Sequence, residues 1–340
     1  MSETATRPRP NGTCWVVTDG KAGVEGQCVG LAEALGYAPE VKRIQMRRPW
    51  RWMPPLAIHR PLARLCPAGA RLAAPWPDVL IASGRRTVAL SIAVRRASGG
   101  RVFTVQIQKP GVDPARFDAV VTPRHDRLRG ANVIETVGSL NRVTPARLAA
   151  AARRFGPALT DLPRPLVAVM LGGNSKAYRM SAARMTRLGA RLAELARRDG
   201  AGLLVTPSRR TPPRTVEIVR RALHGLPART WDGQGENPYL AYLALADALV
   251  VTADSVNMVS EAATTGKPVF VVDLDGGSAK FARFHRALAE AGITRPFAGR
   301  LETWTYPPLN DTERAAAAIR RRLAAHGRAG AAPMSAPAPV

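Results

Sequence analysis

Short apolar runs alternate with longer stretches whose apolar residues return every three or four positions. In the first half the runs fall at 14–18, 41–45, 78–82, 102–108, 117–121 and 132–138. Most are rich in apolar residues and bounded by turn residues, the pattern of a parallel strand buried on both faces, while 41–45 also carries Lys42, Arg43 and Gln45. Helical periodicity fills the gaps, as in the stretch that ends at Leu35 before Gly36 and the one that reaches Ala97. Thr144 followed by Pro145 predicts a capped helix to Phe155.

A Pro-rich joint at 156–165 then interrupts the pattern, and the alternation restarts. Strands are expected at 166–171, 203–206, 229–231, 249–251 and 269–274. Helices are expected at 181–198, 212–223, 237–246, 279–291 and 312–326. Two blocks of alternating strand and helix predict an α/β protein of two doubly wound, Rossmann-like domains facing a cleft. The boundaries read as 13–156 and 166–310, with a helix at 311–327 that packs back on the first domain. Residues 1–12 and 328–340 are expected to be disordered.

The richest stretch is 248–272. A strand leads into Asp254 and Ser255, either of which can cap the helix that carries Val256, Met258, Val259, Glu261 and Ala263. Gly266 stops that helix, and Pro268 opens the next strand. The helix N-terminus then lies at the carboxyl edge of the sheet, where backbone N–H groups and the dipole favour a bound anion. Glu261, further in, can accept hydrogen bonds from a ribose diol. The set suits a sugar nucleotide.

Composition narrows the setting. The chain has 340 residues and a formal net charge of +25, nearly all of it arginine. Much of that excess, with abundant Ala, Gly and Pro, is what a GC-rich genome produces. The three cysteines have no metal-site spacing and fit a reducing compartment. The polar N-terminus lacks a signal peptide's apolar core, and no apolar run approaches the ~18 residues of a membrane span. A cytoplasmic protein is expected, peripheral on the inner membrane if the segment 47–76 is an anchor. That segment interleaves Arg47, Arg48, Arg51, Arg60, Arg64 and Arg71 with Trp50, Trp52 and Trp76. It suits an anionic membrane surface or a proline-broken insertion packed on its domain, and less well nucleic acid. The sequence sets no oligomeric state.

The loops after the first-half strands hold the other candidates. Asp19 and Lys21 follow the first strand. Ser83, Gly84 and Arg85 form a turn suited to an anion. Gln108 ends the fourth run, and His125 stands in a loop after the fifth.

Taken together, Thr18–Gly23 with Gln27 and Gly30, Ser83–Arg85, 106–110, His125–Asp126, Gly172–Gly173, 208–212, 237–239, 252–255, Glu261 and 265–268 resemble the mitochondrial-fission ELM-type family. The likeness runs from about Trp15 to Phe297, and the bacterial members it includes have little established chemistry. A more distant resemblance joins 259–268 to the donor-site helix of GT-B glycosyltransferases. It implies that Glu261 holds the donor ribose, that Ser255 and the N–H groups after it meet the diphosphate, with Asp254 and Met258 also in the donor site, and that Gly172, Gly173 and Asn174 let backbone come close to the donor. Ser208 and Arg209 would lie beside the nucleotide. The first loop departs from the Gly-rich, His-bearing loop of the transferases, so the base stays open between Asp19 and His125.

The expected function is therefore a glycosyltransferase with a nucleotide-diphosphate sugar as substrate and no cofactor or metal. Lys21, Ser83, Gly84, Arg85 and Gln108 would be anion or substrate contacts. A non-catalytic membrane adaptor and a nucleotide-sugar epimerase are the alternatives.

Overall fold

The computed structural model describes residues 12–330. The chain divides into two compact units. Unit 1 comprises the residues up to 136, 140–142 and those from 311 onward; unit 2 comprises 137–139 and 143–310.

Unit 1 is a six-stranded parallel sheet. Its elements are β1 (Cys14–Thr18), α1 (Ala22–Leu35), β2 (Glu40–Arg43), β3 (Val79–Ser83), α2 (Val88–Ala97), β4 (Phe103–Ile107), β5 (Ala119–Pro123) and β6 (Val133–Thr136). The strand order is β2-β1-β3-β4-β5-β6. β1, β3 and β4 are buried at every position, as strands covered on both faces are. Gly36 ends α1 at φ 95°, a left-handed conformation that glycine adopts without strain.

The C-terminal helix Asp311–Gly330 belongs to this unit. Ala315, Ala316 and Ile319 are fully buried in one core with Leu31 and Val105. Arg320 donates to the Ala34 carbonyl at 2.6 Å, serving the end of α1. The helix runs to Gly330, so the disordered tail expected from 328 starts too early. The expectations for residues 1–11 and 331–340 lie outside the described residues.

Unit 2 is a second six-stranded parallel sheet, ordered β10-β9-β7-β11-β12-β14. It comprises α3 (Pro145–Phe155), β7 (Leu166–Leu171), β8 (Tyr178–Arg179), α4 (Ala182–Asp199), β9 (Gly202–Pro207), α5 (Pro213–Ala222), β10 (Ala228–Thr230), α6 (Tyr239–Leu245), β11 (Ala248–Thr252), α7 (Val256–Ala263), β12 (Val269–Val272), β13 (Asp275–Gly276), α8 (Ala279–Glu290) and β14 (Thr294–Pro296). β8 and β13 pair as a short antiparallel ribbon that periodicity does not reveal.

One boundary is corrected. The helix at 145–155, expected in the first domain, is α3 of unit 2, where it packs along α6. Its Leu148 lies against the core of β11 and α7. The proline joint that follows α3 therefore lies within unit 2.

The arginine- and tryptophan-bearing segment forms three 3-10 turns, at Trp50–Trp52, Pro55–Ala57 and Pro61–Arg64. Trp50 and Trp76 pack on the core of unit 1, and Trp76 meets Trp15 edge-on at 6.1 Å. Part of the segment is thus a packed insertion. No described helix is long and apolar enough to cross a membrane.

Candidate functional site

Because both sheets are parallel, the loops after neighbouring strands gather at one carboxyl edge of each unit. In unit 2 the edge joins the loops after β7, β9 and β11, which are adjacent strands. Asp254 ties them together. Its side chain is fully buried. It accepts from the Gly173 amide at 2.8 Å, from the Thr252 hydroxyl at 2.7 Å and from the Arg210 guanidinium at 2.9 Å. Ser208 closes the arrangement by donating to the Gly172 carbonyl at 2.6 Å.

This geometry changes the reading of several residues. A Cβ on Gly172 would stand 2.1 Å from the Asp254 carboxylate, and one on Gly173 would stand 2.1 Å from the Arg210 carbonyl. These glycines make room for the protein's own loops. Asp254 is a joint between loops, and the helix cap is Ser255, whose hydroxyl accepts from the Met258 amide at 3.3 Å. Met258, expected near the donor, is buried in the core beside Val251 and Val259. Asn174 accepts from the Met180 amide at 2.8 Å and so shapes its own loop. Arg209 is exposed.

Glu261 lies within α7 and is partly buried. Tyr239, the first residue of α6, donates to its carboxylate at 2.5 Å. Burial pushes the Glu261 carboxyl up to about 7, opposed by the Tyr239 hydrogen bond. A carboxylate that changes charge near neutrality and is already oriented by a hydroxyl donor is suited to receive further hydroxyls. Lys267, from the same motif, has a structural partner: its ammonium caps the carbonyl end of α6 at Leu243 (3.0 Å) and Ala244.

Beside this edge lies a cavity of about 510 Å³, lined among others by Tyr178, Asp273, Gly277, Ser278 and His285. Ser278 caps α8 by accepting from the Phe281 amide. His285 bonds through Nε2 to the Ala253 carbonyl at 2.8 Å, next to Asp254. Burial lowers its basicity, against the pull of the Ala253 carbonyl, Asp273 and Asp254. Sequence reasoning passed over Tyr178 and His285, and placed Tyr239 in a motif without assigning it a role. The only signal for His285 is its rarity among five histidines.

In unit 1 the loops after β1, β3, β4 and β5 share the carboxyl edge of that sheet. The Asp19 carboxylate accepts from Lys21 at 3.0 Å and from Arg86 at 3.2 Å. Arg86 is thus the arginine of its turn that joins two loops, while Arg85 is exposed and reaches the Trp52 carbonyl at 3.3 Å. Ser83 is buried, and Gly84 turns at φ 91°. Gln108 holds φ 69° while its amide bonds the Val121 carbonyl. His125 is buried in a 3-10 turn beside Asp126, which accepts from Thr122 at 3.2 Å. No cluster of His, Cys, Asp and Glu among the described residues has the form of a metal site.

A family model described as mitochondrial fission ELM1 matches residues 22–323. The chain belongs to this family. The mitochondrial fission protein ELM1 of Arabidopsis thaliana is 38% identical over 278 residues, covering 74% of this chain and 65% of the plant protein. The chain thus spans less than two thirds of that relative. An uncharacterised protein of Rickettsia prowazekii is 27% identical over 288 residues, covering 73% of this chain and 80% of its own.

Among solved structures, a UDP-GlcNAc 2-epimerase from Methanocaldococcus jannaschii superposes with a TM-score of 0.53 at 11% identity, over 91% of this chain and 98% of its own. A Listeria monocytogenes protein described as a UDP-N-acetylglucosamine 2-epimerase does so with 0.54 at 12% identity, over 96% and 99%. At these identities the likeness shows the fold: two Rossmann-like domains of the GT-B kind.

Proposed function

We propose that unit 2 binds a nucleotide-diphosphate sugar and that the protein transfers the sugar to an acceptor hydroxyl. The observation that carries this is Glu261, held by Tyr239 within the helix that starts at the carboxyl edge. A carboxylate so placed can take a ribose diol while the helix N-terminus faces the diphosphate. The fold supports the reading, since the Methanocaldococcus jannaschii epimerase that shares it has also been solved with UDP-GlcNAc and UDP, at a TM-score of 0.50.

In the proposed reaction the acceptor oxygen forms a bond to the anomeric carbon, and the bond from that carbon to the diphosphate oxygen breaks. The nucleoside diphosphate leaves with the bonding pair. Its charge is met by N–H groups and arginine, and the acceptor proton passes to a base. Asp19→Asn and His125→Gln test the two expected bases.

Mass spectrometry of UDP-sugars incubated with the full chain and candidate acceptors should show free UDP together with a glycosylated acceptor. An altered sugar still attached to UDP would make the protein an epimerase. UDP-sugar bound but unchanged with every acceptor would make it an adaptor that keeps the nucleotide site.

A further inference from the structure

We infer that unit 1 carries a docking groove for an anionic lipid surface, formed by the 3-10 turns of the 50–64 segment against α2. Among the described residues, Trp52 and Leu56 are the large apolar side chains that stand out, at 58% and 56% exposed. They lie four positions apart on the same segment. Beside them a groove of about 860 Å³ runs between 55–61 and α2, lined among others by Leu56, His59, Arg60, Ile92, Arg96 and Arg116. Among the described residues no carboxylate lines it. The nearby Asp118 is committed to Arg95, at 2.9 Å.

The two halves of this surface call for one kind of partner. Three guanidinium groups around a groove match phosphate, and each can donate in a fork. Leu56 on the groove and the exposed Trp52, four positions earlier in the same segment, match the boundary between headgroups and acyl chains, where an indole is favoured and a leucine leaves water. An acidic peptide would satisfy the arginines and leave the apolar pair in water, whereas a lipid with an anionic headgroup satisfies both. The segment is held in place for the task. Arg64 lies over the Trp50 ring at 4.5 Å, Arg48 lies over the Trp52 ring at 5.4 Å, and Arg85 bonds the Trp52 carbonyl. The remaining tryptophans of the segment face the core, so the exposure of Trp52 is not a general looseness of the insertion. This inference does not depend on the transferase reading.

The test is co-sedimentation of the full chain with phosphatidylcholine vesicles, with and without phosphatidylglycerol. Binding is expected only with the anionic lipid. The pair Trp52→Ser and Leu56→Ser should lower it about ten-fold, and the pair Arg60→Glu and Arg96→Glu about ten-fold or more. All four side chains are at or near the surface, so melting temperatures should stay close to the parent's. The pair Arg197→Glu and Arg321→Glu makes the same change in net charge at exposed positions elsewhere, and should change binding by less than about two-fold. Equal binding to uncharged vesicles would overturn the proposal. So would a control pair that falls as far as the groove pair, because the attraction would then be general. Single-stranded RNA bound through Arg60 and Arg96 by a chain that ignores vesicles would assign the groove to nucleic acid instead.

Discussion

Replacing Asp254 by Ala should lower the stability of unit 2 by about 3 kcal/mol, because it removes a fully buried carboxylate with three donors. The Gly173 amide and the Thr252 hydroxyl would be left in a space that water does not reach. Arg210 loses less, since its side chain is 44% exposed and can be solvated. Arg210→Ala leaves the buried carboxylate without its counter-charge, so it too should cost about 3 kcal/mol, and Asp254→Asn, which buries no charge, should cost less. Urea unfolding followed by tryptophan fluorescence measures all three. An Asp254→Ala protein within experimental error of the parent would mean that the loops after β7, β9 and β11 are held by something else.

The second large effect is a pH dependence that belongs to Glu261. Its carboxyl titrates at about 7 in the folded protein against an ordinary 4.5. Below pH 4.5 both folded and unfolded chains hold this proton. Between 4.5 and 7 the unfolded chain has lost it and the folded chain keeps it, so raising the pH favours unfolding. The contribution of this group should fall by about 3 kcal/mol across that window and stay level above it. Glu261→Gln carries no such proton, so the difference in stability between variant and parent should open in the variant's favour from pH 5 to 7.5. Parallel curves would show that the carboxyl is more solvated than its surroundings imply. The same titration predicts that a ligand donating hydroxyls to the carboxylate binds more tightly as the pH rises through 7.

Much of the architecture could be read from local pattern. β1 and β7 coincide with their apolar runs, and Thr144, Ser181 and Ser255 cap the helices they precede. These features are set by neighbours a few positions away. What escaped depends on contacts between distant positions. Gly172 and Asp254 are far apart in the chain, and only folding shows that the glycine makes room for the carboxylate. Tyr239 and Glu261 are separated by 22 positions, and neither residue signals the other. The amphipathic α3 carries no mark of the unit that covers it, so the proline joint misplaced it. The same holds for the tryptophans at 50, 52 and 76, alike in composition, of which two turn inward and one outward.

A nucleotide-sugar site in unit 2 with Glu261 as its ribose ligand has to bind a nucleoside diphosphate. Calorimetric titration of UDP into the full chain, beside Glu261→Ala, tests it most directly. Saturable binding is expected, weakening about 100-fold in the variant through the loss of two hydrogen bonds to a charged acceptor, while folding is retained. UDP that fails to bind the parent, or binds the variant equally well, would contradict it.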